Sequence, residues 1–201
     1  MEGQTNLCNC PQKCNRGIRL FAVVGPQAEQ AANTLLQILR GCRCETVWLN
    51  RWMGTFTGEQ KQQLSEVHGC CACAVIWADS LKDLCTEEAL LPWVLLQTPG
   101  AQSKALDGGS TPFYRVVRPF DPTGVAQENE RTYDMQDSGA DYSAHNLRQE
   151  DGITFEILGQ GVIGRVKVEK SDLPVDLLLA VLAAALAGEL PFAKVLDAVH
   201  L

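Results

Sequence analysis

Apolar residues in the first half of the chain fall into short runs that alternate with amphipathic stretches. Residues 18–24 (I-R-L-F-A-V-V) form one run, closed by the turn signal Gly25-Pro26. From 26 to 40, Ala28, Ala31, Ala32, Leu35, Leu36 and Leu39 recur at helical spacing, and Gly41 supplies a stop. A second run spans 45–49. A helix is predicted over 58–68, opened by Thr57 and Gln60 in a capping-box arrangement. The third run, 71–77, is rich in small residues that let flanking helices approach closely. Strands alternating with helices at this spacing predict a flavodoxin-like α/β fold, a mostly parallel sheet with flanking helices. In such a sheet the working site lies beyond the carboxyl ends of the strands, here Gly25-Pro26, the loop 50–57 and the turn 78–83.

The pattern then changes. Residues 84–91 open a helix with acids in its first turn, Pro92 kinks or ends it, and 93–96 carries on apolar. A loop over 98–111 leads to a predicted fourth strand, 113–117. Between 128 and 151 there are seven acidic and two basic residues and few apolar ones, which predicts a solvated linker. Beyond it, 153–158 and 162–168 alternate around Gly159-Gln160-Gly161 as a β-hairpin. An Ala/Leu helix over 173–188, with Pro174 in its first turn, and a short helix over 191–201 close the chain. The expected division is a Cys-containing tail (1–17), an α/β domain (18–125), an acidic linker (126–152) and a hairpin with a helical annex (153–201).

Composition narrows the function classes. The 201 residues are 46% hydrophobic and 20% charged, as in an ordinary globular protein. A net charge of −7 without a dense basic patch argues against nucleic acid as partner. The longest uncharged apolar run, 177–188, has 12 residues, whereas a membrane span needs about 20. The N-terminus lacks an apolar core after a basic start, so no secretory signal is expected, and the nine cysteines are read as free thiols in the cytoplasm. Cys8, Cys10 and Cys14 could offer three thiolates to zinc, which normally takes four ligands. The plainer reading is a tail with free thiols.

Other motifs exclude more than they assign. The stretch 159–166 matches the G-x-G-x-x-G-x-V loop of protein kinases, but no V-A-I-K, H-R-D or D-F-G follows, so it reads as a tight glycine hairpin. There is no G-x-S-x-G, and His68, His145 and His200 make no ligand spacing. No cofactor is expected. The loop 50–57 carries Trp52, Met53 and Phe56, which read either as core plugs or as a partner-binding surface.

The order of the first domain resembles the TIR and SEFIR signalling domains over about 19–120. Ser80 followed by Leu84-Cys85-Thr86-Glu87-Glu88 is similar to the serine turn and W-C-x-x-E helix of TIR domains, with Leu84 in place of Trp. Thr57-Gly58 stands where the TIR loop ends in Pro-Gly, and Asn50-Arg51-Trp52 is similar to the acid-x-Trp of SEFIR domains, with Asn50 for the acid. This resemblance implies a protein–protein interaction module, a signalling adaptor that self-associates or binds a like domain through Trp52, Met53 and Phe56. Other TIR domains hydrolyse NAD through the glutamate of that motif. The matching position is Glu88, otherwise an acid at a helix start. A non-enzymatic scaffold subunit unrelated to TIR is the third reading.

Overall fold

The computed structural model describes residues 18–67, 72–84, 93–101, 115–124, 127–136, 139–150, 152–169 and 173–199. Their elements run β1 (Arg19–Val24), α1 (Ala28–Gly41), β2 (Thr46–Arg51), α2 (Gly58–Glu66), β3 (Cys73–Ala78), α3 (Leu81–Leu84), β4 (Val94–Gln97), β5 (Arg115–Pro119), β6 (Glu130–Asp134) and β7 (Tyr142–Arg148). Then follow β8 (Ile153–Gly159), β9 (Val162–Val168), α4 (Val175–Ala187) and α5 (Phe192–Val199). The described strands form one sheet in the order β2-β3-β1-β4-β5-β6-β7-β8-β9. Neighbours from β2 to β7 pair parallel, and β8 and β9 are antiparallel. The fold is therefore α/β with a mostly parallel sheet and flanking helices, as the alternation of strands and helices requires.

The central strands are buried on both faces, so their sequences read as unbroken apolar runs rather than as alternation. One face is covered by α1, α4 and α5, whose side chains build a core with Phe21, Val23, Val75, Leu96, Val117 and Phe155. On the other face α2 and α3 lie against β2 and β3, over a second core that contains Val24, Ile76, Leu95 and Trp52. In α4 nearly every residue is buried, which is what a helix hydrophobic all round demands. It crosses β4, β5, β6 and β7 and also touches α1 and α5. Arg19 donates from Nη1 to the Gly188 carbonyl just past the end of α4, at 2.9 Å. A cation there complements the negative end of the helix dipole.

Two features differ from the expected architecture. The apolar stretch 93–96 does not continue a helix: Val94, Leu95 and Leu96 belong to β4, which pairs directly with β1. A four-residue buried run carries no periodicity that separates helix from strand. The stretch 126–152, expected as an acidic linker, contains β6 and β7 of the same sheet. Its polar residues are partnered rather than solvated. Arg118 and Glu130 form a buried ion pair at 3.0 Å. The amide and hydroxyl of Thr132 both donate to Asp141 Oδ2, at 2.8 and 3.1 Å. Meanwhile Tyr133, Tyr142 and Ala144 turn to the α4 side. The hairpin forms as expected, with Gln160 and Gly161 both at positive φ (54° and 75°), the backbone of a two-residue primed turn.

One sheet sealed by α4 has a measurable consequence. Leu179 is fully buried in α4, and Leu179→Ala is expected to cost about 2–5 kcal/mol. All four tryptophans (Trp48, Trp52, Trp77 and Trp93) lie in the first half of the chain, so tryptophan fluorescence reports β1 to β4 while far-ultraviolet dichroism reports the whole. Both signals should shift together in denaturant. An unmoved fluorescence transition would show two independent units.

Candidate functional site

The strand order places a switch point at β1. The chain leaves β1 through α1 towards β2 and β3, and it leaves β4 towards β5 on the other side. Loops diverging at such a point open a crevice beyond the carboxyl ends of the strands. Here Val24 stands between Ala78 and Gln97 at the ends of β1, β3 and β4. Above them lies a crevice of about 910 Å³, lined from the β1 loop (Gly25, Pro26, Gln27), the first turn of α1, the β3 end (Trp77 and 79–82) and the β4 end (Gln97, Gly100, Ala101).

The loop after β1 is pinned to both neighbours. The amide and hydroxyl of Thr98 both donate to the Val24 carbonyl, at 2.9 and 3.1 Å, and the Gly25 amide reaches the Ala78 carbonyl. Gly25 has φ +111°, and a Cβ on it would sit 2.5 Å from Thr98 Oγ1 and 2.7 Å from Ala101 Cβ. Only glycine satisfies both demands. The first turn of α1 then opens on the crevice with its N-cap, Gln27, in a left-handed conformation and making no side-chain cap bond.

Two polar groups at this place have no partner among the described residues. Gln97 is 1% exposed, and its carbonyl receives the Tyr133 hydroxyl at 2.8 Å, yet its side-chain Oε1 is buried without a donor. The Trp77 indole nitrogen is likewise enclosed without an acceptor. Such groups forfeit about 1–3 kcal/mol each when left unmet. Around them the charges are muted. Asp79 is paired with Arg51, whose guanidinium lies 5.5 Å from the Trp77 ring centroid. The Ser80 amide and hydroxyl both donate to Asp83, while Glu29 and Lys82 carry opposite signs on the rim. Burial, with the Asp176 carboxylate nearby, pushes the Tyr133 phenol well above its usual range, so it stays a neutral donor to Gln97.

Sequence reasoning named two of the three loops that line this crevice, Gly25-Pro26 and 78–83. It missed Gln97, because 93–96 was not read as a strand, and nothing in the sequence singled out Trp77. The other loop that the sequence named, 50–57, contributes no residue to this lining. Trp52 is 2% exposed and plugs the second core, with the Phe56 ring set edge-on at 4.9 Å. Met53 is 73% exposed. Glu88, Cys8, Cys10 and Cys14 lie outside the described residues. Among the described residues no three His, Cys, Asp or Glu side chains gather as a metal site. The Cys44 thiol does interact with those of Cys42 and Cys73. A hydrogen bond with Cys73 lowers the Cys44 thiol below its usual range, whereas burial pushes Cys42 up to about 11.

No protein-family model and no curated protein sequence matches the chain. Solved structures do. A UDP-N-acetylmuramoyl-L-alanyl-D-glutamate–2,6-diaminopimelate ligase superposes with a TM-score of 0.67 at 16% identity, over 92% of this chain and 46% of the ligase. The fold is shared with the Mur ligases. MurF ligase from Thermotoga maritima, solved in complex with ADP, matches with a TM-score of 0.58 at 18% identity, over 90% of this chain and 48% of that one. FPGS in a complex with AMPPCP and folate matches with a TM-score of 0.55 at 13% identity, over 92% and 62%. The chain thus spans about half the length of the Mur ligases it matches.

This likeness overturns the TIR/SEFIR resemblance, and with it the readings as a signalling adaptor and as a TIR-type NAD hydrolase using Glu88. The Mur-ligase-like fold accounts for nine-tenths of the chain, whereas the resemblance rested on short motifs over 19–120. Alternating strands and helices are common to many doubly wound sheets, so their order alone could not choose between them. Among the described residues no helix is long and apolar enough to cross a membrane.

The orphaned oxygen of Gln97 yields a prediction of unusual sign. Gln97→Met keeps the volume and removes the unmet acceptor, so it should raise stability by about 1 kcal/mol. Chemical denaturation of the two proteins measures it. A loss of more than about 1 kcal/mol would mean that the amide is already satisfied in the free protein.

Proposed function

We propose that this chain is a Mur-ligase-like domain whose crevice binds a small polar ligand without transferring a phosphoryl group there. The observation that carries this reading is Gln97, a residue of the crevice lining whose buried side-chain oxygen meets no donor among the described residues. A polar side chain left unmet at the edge of a concave site calls for a complement, which ordered water or a bound ligand supplies.

The loop beneath the crevice speaks against phosphate as the recognised group. Strand, turn and helix stand where a phosphate-cradling loop would be, but that loop needs G-x-x-x-x-G-K-[ST], with lysine on the phosphates and a hydroxyl on the metal. Here the sequence is Gly25-Pro26-Gln27-Ala28-Glu29-Gln30, with neither. Pro26 contributes no N–H, and the Glu29 carboxylate stands in the first turn of α1, where it opposes a second anion. The residues present therefore do not fit a triphosphate, although MurF from Thermotoga maritima was solved with ADP and FPGS with AMPPCP. A second reading keeps nucleotide phosphates at this place, favoured by the uncapped start of α1 and by Lys82 on the rim.

The same proposal sets the protein in the cytoplasm, with reduced cysteines. Incubation with ATP and Mg²⁺ tests the two readings. Phosphate release is expected to stay at the level of a heat-unfolded control. Saturable ATP turnover that disappears in Lys82→Gln would establish the phosphate reading instead.

A further inference from the structure

At the amino ends of β1, β2 and β3, the far end of these strands from the crevice, two cysteines from distant parts of the sequence meet. Cys73 opens β3, in register with Arg19 of β1 on one side and Thr46 of β2 on the other. Its amide donates to the Glu45 carbonyl at 2.8 Å, and the Cys44 amide donates to the Leu39 carbonyl at 3.0 Å. Both backbones are therefore held. Cys44, Trp48 and Cys73 all pack with the core beneath α1, which puts the two cysteines on one face of the sheet. Their thiols are hydrogen-bonded to each other, and neither is in a disulfide.

The neighbouring thiols differ in what they can do. Cys44 is part-exposed, whereas Cys42 and Cys73 are buried. The hydrogen bond with Cys73, helped by the Arg19 and Lys194 cations, outweighs burial and holds the Cys44 thiol below its usual range. Arg19 is fixed there by its bond to the Gly188 carbonyl. The thiolate is the reactive form of cysteine. Burial pushes Cys42 up to about 11, with Cys44 and Asp197 acting in the same direction, so Cys42 stays a protonated spectator. Thiolate character, access and a second thiol in contact are the features of cysteines that respond to oxidants.

We infer that Cys44 is a peroxide-reactive thiol and that Cys73 resolves its oxidised form into a Cys44–Cys73 disulfide. This holds whatever the crevice binds. In the first step the Cys44 thiolate attacks one oxygen of hydrogen peroxide and the O–O bond breaks. The second oxygen leaves with a proton as water, and Cys44 becomes a sulfenic acid. In the second step the Cys73 sulfur displaces that hydroxyl, which takes the Cys73 proton and leaves as water. Two thiols are oxidised to one disulfide, and one peroxide is reduced to two waters. The bond ties the turn before β2 to the start of β3.

The test treats the reduced full chain with a slight molar excess of hydrogen peroxide, alkylates samples over time, and maps the cysteines by mass spectrometry without reductant. Cys44–Cys73 is expected as the first crosslink of Cys44, with Cys44 consumed about tenfold or more faster than Cys42. Fragmentation within the crosslinked peptide separates Cys73 from Cys70 and Cys71. In Cys73→Ser, dimedone should trap a sulfenic acid on Cys44, and in Cys44→Ser the Cys73 thiol should stay reduced. The wild-type map decides the matter even if a variant fails to fold. Cys44 still reduced after Cys42 has been consumed would overturn its reactivity. A Cys44 sulfenic acid that persists in the wild type, or a first crosslink to any cysteine other than Cys73, would overturn the resolving role.

Discussion

A wide sheet with an apolar face must have that face covered, and in this protein α4 covers it. Thirteen residues of Val, Asp, Leu and Ala lie across β4 to β7 and against α1 and α5. Small alanines let the helix sit close, and leucines fill the space between strands, so the contact is both tight and apolar. The hairpin end of the sheet and the β1–β4 end are thereby tied into one body. Arg19 at the start of β1 donates to Gly188 at the end of α4, which ties the first strand to the last part of the chain a second time. The crevice inherits its rigidity from this arrangement, since its floor is three strand ends held in register.

At that floor the fold and the sequence disagree in an informative way. The architecture offers a strand, a turn and a helix start, the place where related sheets receive phosphates. The residues placed there refuse that use: a proline, a glutamate and no lysine in the turn. What they supply instead is a glycine at the end of β1, between Trp77 and Gln97, whose side chains leave the sheet on opposite faces. Fold analogy alone would have assigned a nucleotide. The side chains argue for recognition by hydrogen bonds, with charge playing a small part.

Much of the fold was legible because its signals are local. The helical spacing from Ala28 to Leu39, the Thr57–Gln60 capping box and the Gln160-Gly161 turn each appear where the residues require them. The parts that were not legible depend on partners far away in sequence. Glu130, Thr132 and Asp141 look solvated in a list of residues, but Arg118 and one another satisfy them inside the sheet. β4 was hidden because its four residues are buried on both faces. Missing β4 meant missing Gln97, so the site was read without its central residue. Trp52 could be plug or anchor from sequence, and only the second core beneath it decides for plug.

The central claim is that a crevice at a sheet switch point, a place where doubly wound folds can hold phosphates, does not select for them here. Equilibrium dialysis of ADP and of adenosine against the full chain, each with Mg²⁺ at moderate salt, tests this most directly. The expected result is that ADP binds no tighter than adenosine, within about threefold. Affinity for ADP that exceeds adenosine by about tenfold or more, a gain of about 1.4 kcal/mol from the phosphates alone, would contradict it.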